Sequence, residues 1–163
     1  MEIGVVSDTH NNIKNVKKII LLLNERNLSL VIHTGDITNA KTLALFSGLN
    51  CPLAGVYGNN DMNESSLSDV AEENKFNFRN PPLVIKKNNR SIAIFHEPEL
   101  IKNFLEENKD IDIVLHGHTH RYRNEFKDKV LYFNPGESAG MLEGKNSIGI
   151  VNLNDLSTKR IFF

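Results

Sequence analysis

Cysteine is almost missing from this sequence: Cys51 stands alone. An intrachain disulfide is therefore impossible, and a thiolate cage for a metal is excluded. Long apolar runs are missing too. Stretches such as Ile19 to Leu23 fall far short of the ~20 residues that span a bilayer. Nor is there an excess of charge, since 19 basic and 20 acidic residues leave a formal net charge of −1. That balance gives no general attraction to nucleic acid or an anionic membrane, so bulk nucleic-acid binding is not expected. The opening residues, Met1 to Asp8, carry neither a basic start nor a cleavable apolar stretch. The expectation is a cytoplasmic protein.

What is present is ordinary globular material. A length of 163 residues, 40% apolar and 24% charged, suits a single domain over 1–163 with its own core. Whether the apolar residues of the C-terminal strands serve the core or a homo-oligomer face stays open at this point.

The periodicity predicts strands at Ile3–Val6, Leu28–His33 and Leu53–Tyr57, separated by helices over Asn11–Leu23 and Lys41–Phe46. Ile13, Val16, Ile20 and Leu23 form the apolar stripe of the first helix, with Asn11 or Asn12 as its cap. Strands alternating with helices imply parallel pairing. Further on, a helix is expected over Asn63–Asn74, capped by Ser65 or Ser66. Strands Leu83–Ile85 and Ile92–Phe95 flank a turn at Asn88-Asn89. A helix follows from Pro98 to about Asn108, then a strand at Ile111–Leu115. The last third reads as antiparallel strands at Arg123–Phe126, Val130–Phe133, Ile148–Leu153 and Thr158–Phe162.

The informative feature is where polar residues fall. Five expected strands each end in a potential metal ligand: Asp8 and His10, Asp36, Asn59, His96, and then His116, His118 and His120. In open α/β sheets, sites gather at the carboxyl ends of strands, so these loops can converge on one pocket. Singly, each has an ordinary reading as a helix cap, a turn or a core-edge histidine. Their joint order favours a metal centre built from oxygen and nitrogen donors, the kind that accepts borderline divalent ions. His118 and His120 are expected side by side on an extended segment. His33 is expected to orient neighbouring groups, and His116 to approach the site as an orienting or substrate-facing group.

The ordered set Asp8-x-His10, Gly35-Asp36, Gly58-Asn59-Asn60-Asp61, His96 and Gly117-His118-Thr119-His120 resembles the calcineurin-like metallophosphoesterases. Together with the short length, Asn134-Pro135-Gly136-Glu137 resembles their small bacterial and archaeal phosphodiesterase branch. The resemblance implies a four-layer α-β-β-α sandwich of two mixed sheets. It implies two divalent ions per chain, Mn²⁺ being favoured, while the donor types also suit Ni²⁺, Fe²⁺ or Zn²⁺. One ion would be held by Asp8, His10, Asp36 and His120, the other by Asp36, Asn59, His96 and His118. Asp36, Asn59, Asn60 and His118 are the positions it assigns to catalysis. The implied activity is hydrolysis of a small phosphoester, a diester in first place, by in-line attack of a metal-bridging hydroxide. A phosphomonoesterase and a non-catalytic interaction module are the alternatives on the same fold. Two positions depart from the common pattern: Asn60 replaces a histidine, and Glu97 replaces a glycine. An amide at position 60 can donate a hydrogen bond but cannot supply a proton near neutrality.

Overall fold

The computed structural model describes all residues 1–163. Chain order begins β1 (Glu2–Val6), α1 (Ile13–Asn24), β2 (Leu28–His33), α2 (Ala40–Leu45), β3 (Leu53–Val56), α3 (Ser66–Glu73) and β4 (Asn77–Arg79). It continues with β5 (Leu83–Lys87), β6 (Arg90–Ile94), α4 (Ile101–Glu107), β7 (Ile113–Leu115), β8 (Arg123–Lys127), β9 (Val130–Asn134), β10 (Ser147–Asn152) and β11 (Thr158–Phe162). One-turn 3₁₀ segments extend α2 at Phe46–Gly48 and precede α4 at Pro98–Leu100. No helix is long and apolar enough to cross a membrane.

Two mixed sheets stack face to face. The first runs β11-β10-β1-β2-β3-β4, and the second runs β5-β6-β7-β9-β8. Because the side chains of a strand alternate between faces, Ile3, Val5, Leu30 and Ile32 point into the inter-sheet core against Ile92, Ile94, Ile113, Leu115 and Phe133. Their neighbours Val6 and Val31 face the other way, onto Val16, Ile19 and Leu23 of α1 and Leu43 of α2. On the far side of the second sheet, Ile101 of α4 packs on Ala93, Phe95 and Val114. The layers are thus helices, sheet, sheet, helix. Strands covered on both faces read as unbroken apolar runs rather than alternating ones, which is why β1, β2 and β7 were visible in the sequence. Each buried Leu, Ile or Val contributes about 1.5–3 kcal/mol, so the three layers of core hold the loops at the strand ends in place.

Several expectations need correction. The second half is not simply antiparallel: β7 pairs in parallel with both β6 and β9, with Ile94 opposite Leu115 and Leu115 opposite Phe133. The β8–β9 hairpin folds so that β9, not β8, lies beside β7. Conversely β1, in the parallel half, takes β10 as an antiparallel neighbour, with Ile3 opposite Val151. In α1, Asn12 is the cap, its side chain accepting from the Asn15 N–H at 3.1 Å. Ile13, expected on the apolar stripe, is exposed, and Ile19 is buried instead. For α3, Ser65 is the capping position but makes no side-chain capping bond; Ser66 hydroxyl donates to Glu64. The hairpin turn at Asn88-Asn89 is as expected, with both residues at positive φ, 50° and 59°.

The parallel registers bring ligand-bearing ends together. Val6 lies opposite His33, and His33 opposite Gly55, so β1, β2 and β3 finish at one level. At the same edge the second sheet presents the ends of β6, β7 and β9, and the Gly117 N–H donates to the His96 carbonyl at 3.1 Å.

Candidate metal centre

The loop after β1 is bound to the loop after β2 through the backbone. Asp8 N–H donates to the Gly35 carbonyl at 3.1 Å, and His10 N–H to the Asp36 carbonyl at 3.0 Å. Beneath them His33 is fully buried. Its Nδ1 accepts from the Gly35 N–H at 3.1 Å, so Nε2 carries the proton and donates to Thr9 Oγ1 at 3.2 Å. Burial pushes the His33 pKa down to about 3, so the ring is a neutral strut joining the two loops.

Asp61 braces the loop after β3. Its buried carboxylate accepts from the backbone N–H groups of Gly58, Asp36, Ile37 and Thr38 at 2.7, 2.9, 2.9 and 2.6 Å. This residue was quoted in the sequence pattern with no role of its own. A glycine at 58 follows from the same packing, because a Cβ there would collide with the Asp36 side chain and backbone N. Gly117 is equally constrained: a Cβ would strike Ser7 Oγ and Asp8 Oδ2.

The seven candidate ligands meet at this edge. His120 Nε2 and His10 Nε2 lie 3.4 and 3.9 Å from Asp8 Oδ1, and 3.3 Å from each other. Asp36 Oδ2 is 3.5 Å from His10 Nε2 on one side and 3.4 Å from His96 Nε2 on the other. Asn59 Oδ1 sits 3.0 Å from His96 Nε2 and 3.1 Å from His118 Nδ1. Asp8, His10 and His120 therefore form one group and Asp36, Asn59, His96 and His118 a second, with Asp36 reaching both. His96 is oriented through Nδ1, which donates to the Thr34 carbonyl at 2.8 Å and leaves Nε2 for the centre. Asn60 donates to Asp36 twice, from its backbone to Oδ1 at 3.0 Å and from its amide to Oδ2 at 2.8 Å.

Five of the seven, Asp8, His10, Asp36, His118 and His120, have positive φ, between 39° and 66°. Non-glycine residues adopt this region at a cost and collect there at functional sites. The expected alternation of His118 and His120 along an extended segment is therefore wrong, since β7 ends at Leu115 and both residues sit in left-handed turns.

The charges suit a cation. Burial pushes the Asp36 carboxyl up, but hydrogen bonding from His96 and Asn60 holds it well below the usual carboxylate range. Burial depresses His96, and the Asp36 and Asp8 carboxylates override it and raise its pKa. The Asp8 carboxylate likewise raises His120. Asp8 Oδ1 is buried and has no hydrogen-bond donor. A buried carboxylate oxygen without a donor, ringed by imidazole nitrogens, is a donor set that fits a divalent ion.

His116, expected near the site, is buried at its base. Burial pushes its pKa down to about 4, and Nδ1 faces the Gly117 carbonyl at 3.2 Å. Asn134, quoted in the sequence only as part of the motif that resembles the small phosphodiesterase branch, supports the same loop by donating to the Gly117 carbonyl and Thr119 Oγ1. Glu97 is half-buried and stands just before the turn at Pro98, where its side chain makes no capping bond.

Residues 1–156 match the family model of the calcineurin-like phosphoesterase superfamily domain. A phosphodiesterase of Methanocaldococcus jannaschii is 32% identical over 154 residues, 93% of each chain. Among solved structures, an archaeal phosphodiesterase superposes with a TM-score of 0.90 at 31% identity, over 100% of both chains. Vps29 of Entamoeba histolytica superposes at 0.71 with 20% identity, over 100% of this chain and 99% of its own. The phosphoesterase Yfce of E. coli gives 0.69 at 19% identity, over 99% and 98%. These last two share the fold. With its ligand-bearing loops gathered at one edge of two stacked sheets and the family pattern running through nearly its whole length, the chain belongs to the calcineurin-like phosphoesterase superfamily.

Proposed function

We propose that this protein is a metal-dependent phosphodiesterase with a dinuclear centre. The observation that carries the reading is the position of Asp36 Oδ2, 3.5 Å from His10 Nε2 and 3.4 Å from His96 Nε2. One carboxylate oxygen so placed can serve two ions. Asp8, His10, Asp36 and His120 would hold one of them, and Asp36, Asn59, His96 and His118 would hold the other. Mn²⁺ is our first choice of metal, on the family resemblance; the donor set also accepts Ni²⁺, Fe²⁺ and Zn²⁺. Such ions supply Lewis acidity at the phosphoryl oxygens and lower the pKa of water towards ~7, the chemistry of in-line hydrolysis.

The chain's own residues set the conditions. Two carboxylates oppose the charge of two dications, which leaves the edge positive and attractive to an anionic ester. Asn60 spends its amide on Asp36, so it positions the shared carboxylate and gives no proton to a leaving group. The diester preference follows the M. jannaschii relative.

The test compares bis(p-nitrophenyl) phosphate with p-nitrophenyl phosphate, using Mn²⁺-loaded and EDTA-treated protein. Expected are two ions per chain by elemental analysis, hydrolysis abolished by EDTA, and a higher kcat/KM for the diester. Hydrolysis by metal-stripped protein would overturn the mechanism, and a monoester preference would make the protein a phosphomonoesterase. Failure to bind metal together with no hydrolysis would make it an assembly module.

A further inference from the structure

A cavity of about 490 Å³ adjoins the loop that carries His118 and His120, with Pro98, Thr119, Arg121, Tyr122 and Arg123 in its lining. Thr119 stands between the two candidate ligands, and Arg121 directly follows the second of them. A molecule in this cavity therefore lies beside the metal centre. The volume is in the ordinary range for small-molecule sites.

The arginines around it differ in what holds them. Arg123 is committed to Glu125, with contacts of 3.1 and 2.6 Å, and lies 4.5 Å from the centre of the Tyr132 ring. Arg160 stacks on both Tyr122 and Phe162, at 4.7 and 4.4 Å, and its Nε donates to Ser147 Oγ at 3.0 Å. Arg121 is exposed. The arginine–carboxylate pairs of the chain are Arg90–Asp112 and Arg123–Glu125, so Arg121 has no such partner. Its backbone is nevertheless anchored. The Arg121 N–H donates to Thr119 Oγ1 at 3.3 Å, and the same oxygen accepts from the buried Asn134 amide at 3.3 Å. The root of the side chain is tied to the framework beneath the loop, while the guanidinium stays unspent. A guanidinium is permanently charged, and its planar fork of N–H donors matches a carboxylate or phosphate through two parallel bonds.

We propose that this cavity takes a second anionic group of the substrate, a carboxylate or a further phosphate, and that Arg121 binds it. The inference rests on the phosphodiesterase reading and narrows it to diesters whose alcohol carries another negative charge. Pro98 and the Tyr122 ring give apolar walls for the carbon chain that joins the two groups. Arg121 is a specificity residue here, while the reacting phosphorus stays with the metal ligands.

The test uses a homologous series of ω-carboxyalkyl p-nitrophenyl phosphates, each paired with its carboxamide, which has the same shape and leaving group without the charge. For the Mn²⁺-loaded protein, the carboxylate of the best-fitting chain length should have a kcat/KM about tenfold higher than its amide, the worth of one charge-assisted contact screened by water. The matching ω-phosphonoalkyl esters, run alongside, tell whether a carboxylate or a phosphate is the better occupant. Arg121→Gln should bring the anion-to-amide ratio close to one, and Arg121→Lys should keep part of it. A second readout does not need turnover. Calorimetric titration with the corresponding p-nitrobenzylphosphonates, whose aryl group is held by a P–C bond, should show tighter binding of the carboxylate than of the amide, and no such difference in Arg121→Gln. No preference for either anion at any chain length would overturn the subsite and leave the phosphodiesterase reading intact. So would a preference that survives Arg121→Gln, since the metals alone would then be its source. Hydrolysis of none of the esters would strike the phosphodiesterase reading instead, and the calorimetry would then decide the subsite alone: equal binding of carboxylate and amide overturns it.

Discussion

Asn60 grips Asp36 at both oxygens, from its backbone N–H at 3.0 Å and from its side-chain amide at 2.8 Å. The carboxylate that reaches both ligand groups is thereby aimed by a residue that is not itself a ligand. Partners of this kind typically account for 10–100-fold in metal affinity. Asn60→Ala should weaken metal binding by about tenfold while leaving thermal stability of the metal-free protein nearly unchanged, because the side chain is exposed. Competition against a metal-sensitive chelator measures the first and a melting curve the second. Unchanged affinity would show that the backbone N–H alone aims the carboxylate.

Asp36→Asn should reduce hydrolysis to the level of EDTA-treated protein. The substitution removes one negative charge from the carboxylate that reaches both ligand groups, and its new NH₂ opposes the Asn60 amide. Elemental analysis should show fewer than two ions per chain. By contrast Asn59→Ala removes a contact of the His96 and His118 group only. Anomalous scattering from Mn²⁺ should then show lower occupancy beside His96 than beside His120. Equal occupancy would contradict the ligand assignment.

Asp61→Asn tests the brace rather than the ligands. An amide keeps the shape but has one accepting oxygen, and each oxygen of Asp61 takes two of the four backbone N–H groups, so two of them face an NH₂. Hydrogen bonds to a charged group are worth about 1.5–3 kcal/mol each in such settings. The expected destabilisation is roughly 3 kcal/mol, a fall in Tm of roughly 6–12 °C for a chain of this size. A variant that melts within a degree of wild type would show that the β2 and β3 loops hold one another without it.

The strand-end ligands were legible because apolar runs stop abruptly at them, and a run covered on both faces is long enough to notice. Asp61 was not, since Asn-Asn-Asp after glycine looks like any turn until the Gly35–Thr38 segment is brought against it. β4 escaped because Asn77-Phe78-Arg79 is three residues with no apolar period. The left-handed turns at His118 and His120 leave no mark in composition, so a flat strand was the natural expectation. The place of β9 beside β7 depends on how a hairpin folds back, which residue spacing does not encode. The core was readable from local pattern, whereas the bracing of the site is made of contacts between distant loops.

Acid should weaken the metal-free protein through its buried neutral histidines. His33 and His116 have folded pKa values pushed down to about 3 and about 4. Between those values and 6.5 the unfolded chain binds protons that the folded one does not, so stability falls as pH falls. The slope is about 1.4 kcal/mol per pH unit for each histidine once well inside that window. His96 and His120, raised by their carboxylates, are protonated in both states below 6.5 and add no slope there; their stabilisation is lost only as pH rises through their folded values. Urea unfolding at pH 6.5, 5.5 and 4.5 should show this decline, and His33→Asn should flatten it. A flat wild-type profile would mean that one of these rings gains a proton without unfolding.

The central position of β1, with β2 on one side and β10 on the other, has a consequence for biosynthesis. Ribosomes deliver chains from the amino end at about 5–20 residues per second. The loop bearing Asp8 and His10 therefore leaves the ribosome seconds before His118 and His120 exist. Its strand keeps one hydrogen-bonding edge unpaired until Val151 arrives opposite Ile3. A nascent chain can offer an ion only a partial and poorly anchored set of donors. Complete metallation would thus belong to the finished polypeptide, and an ion captured early would be held weakly or exchanged. Stalled or truncated products lacking residues past Asn146 would carry an open β1 edge, a template for pairing with another chain.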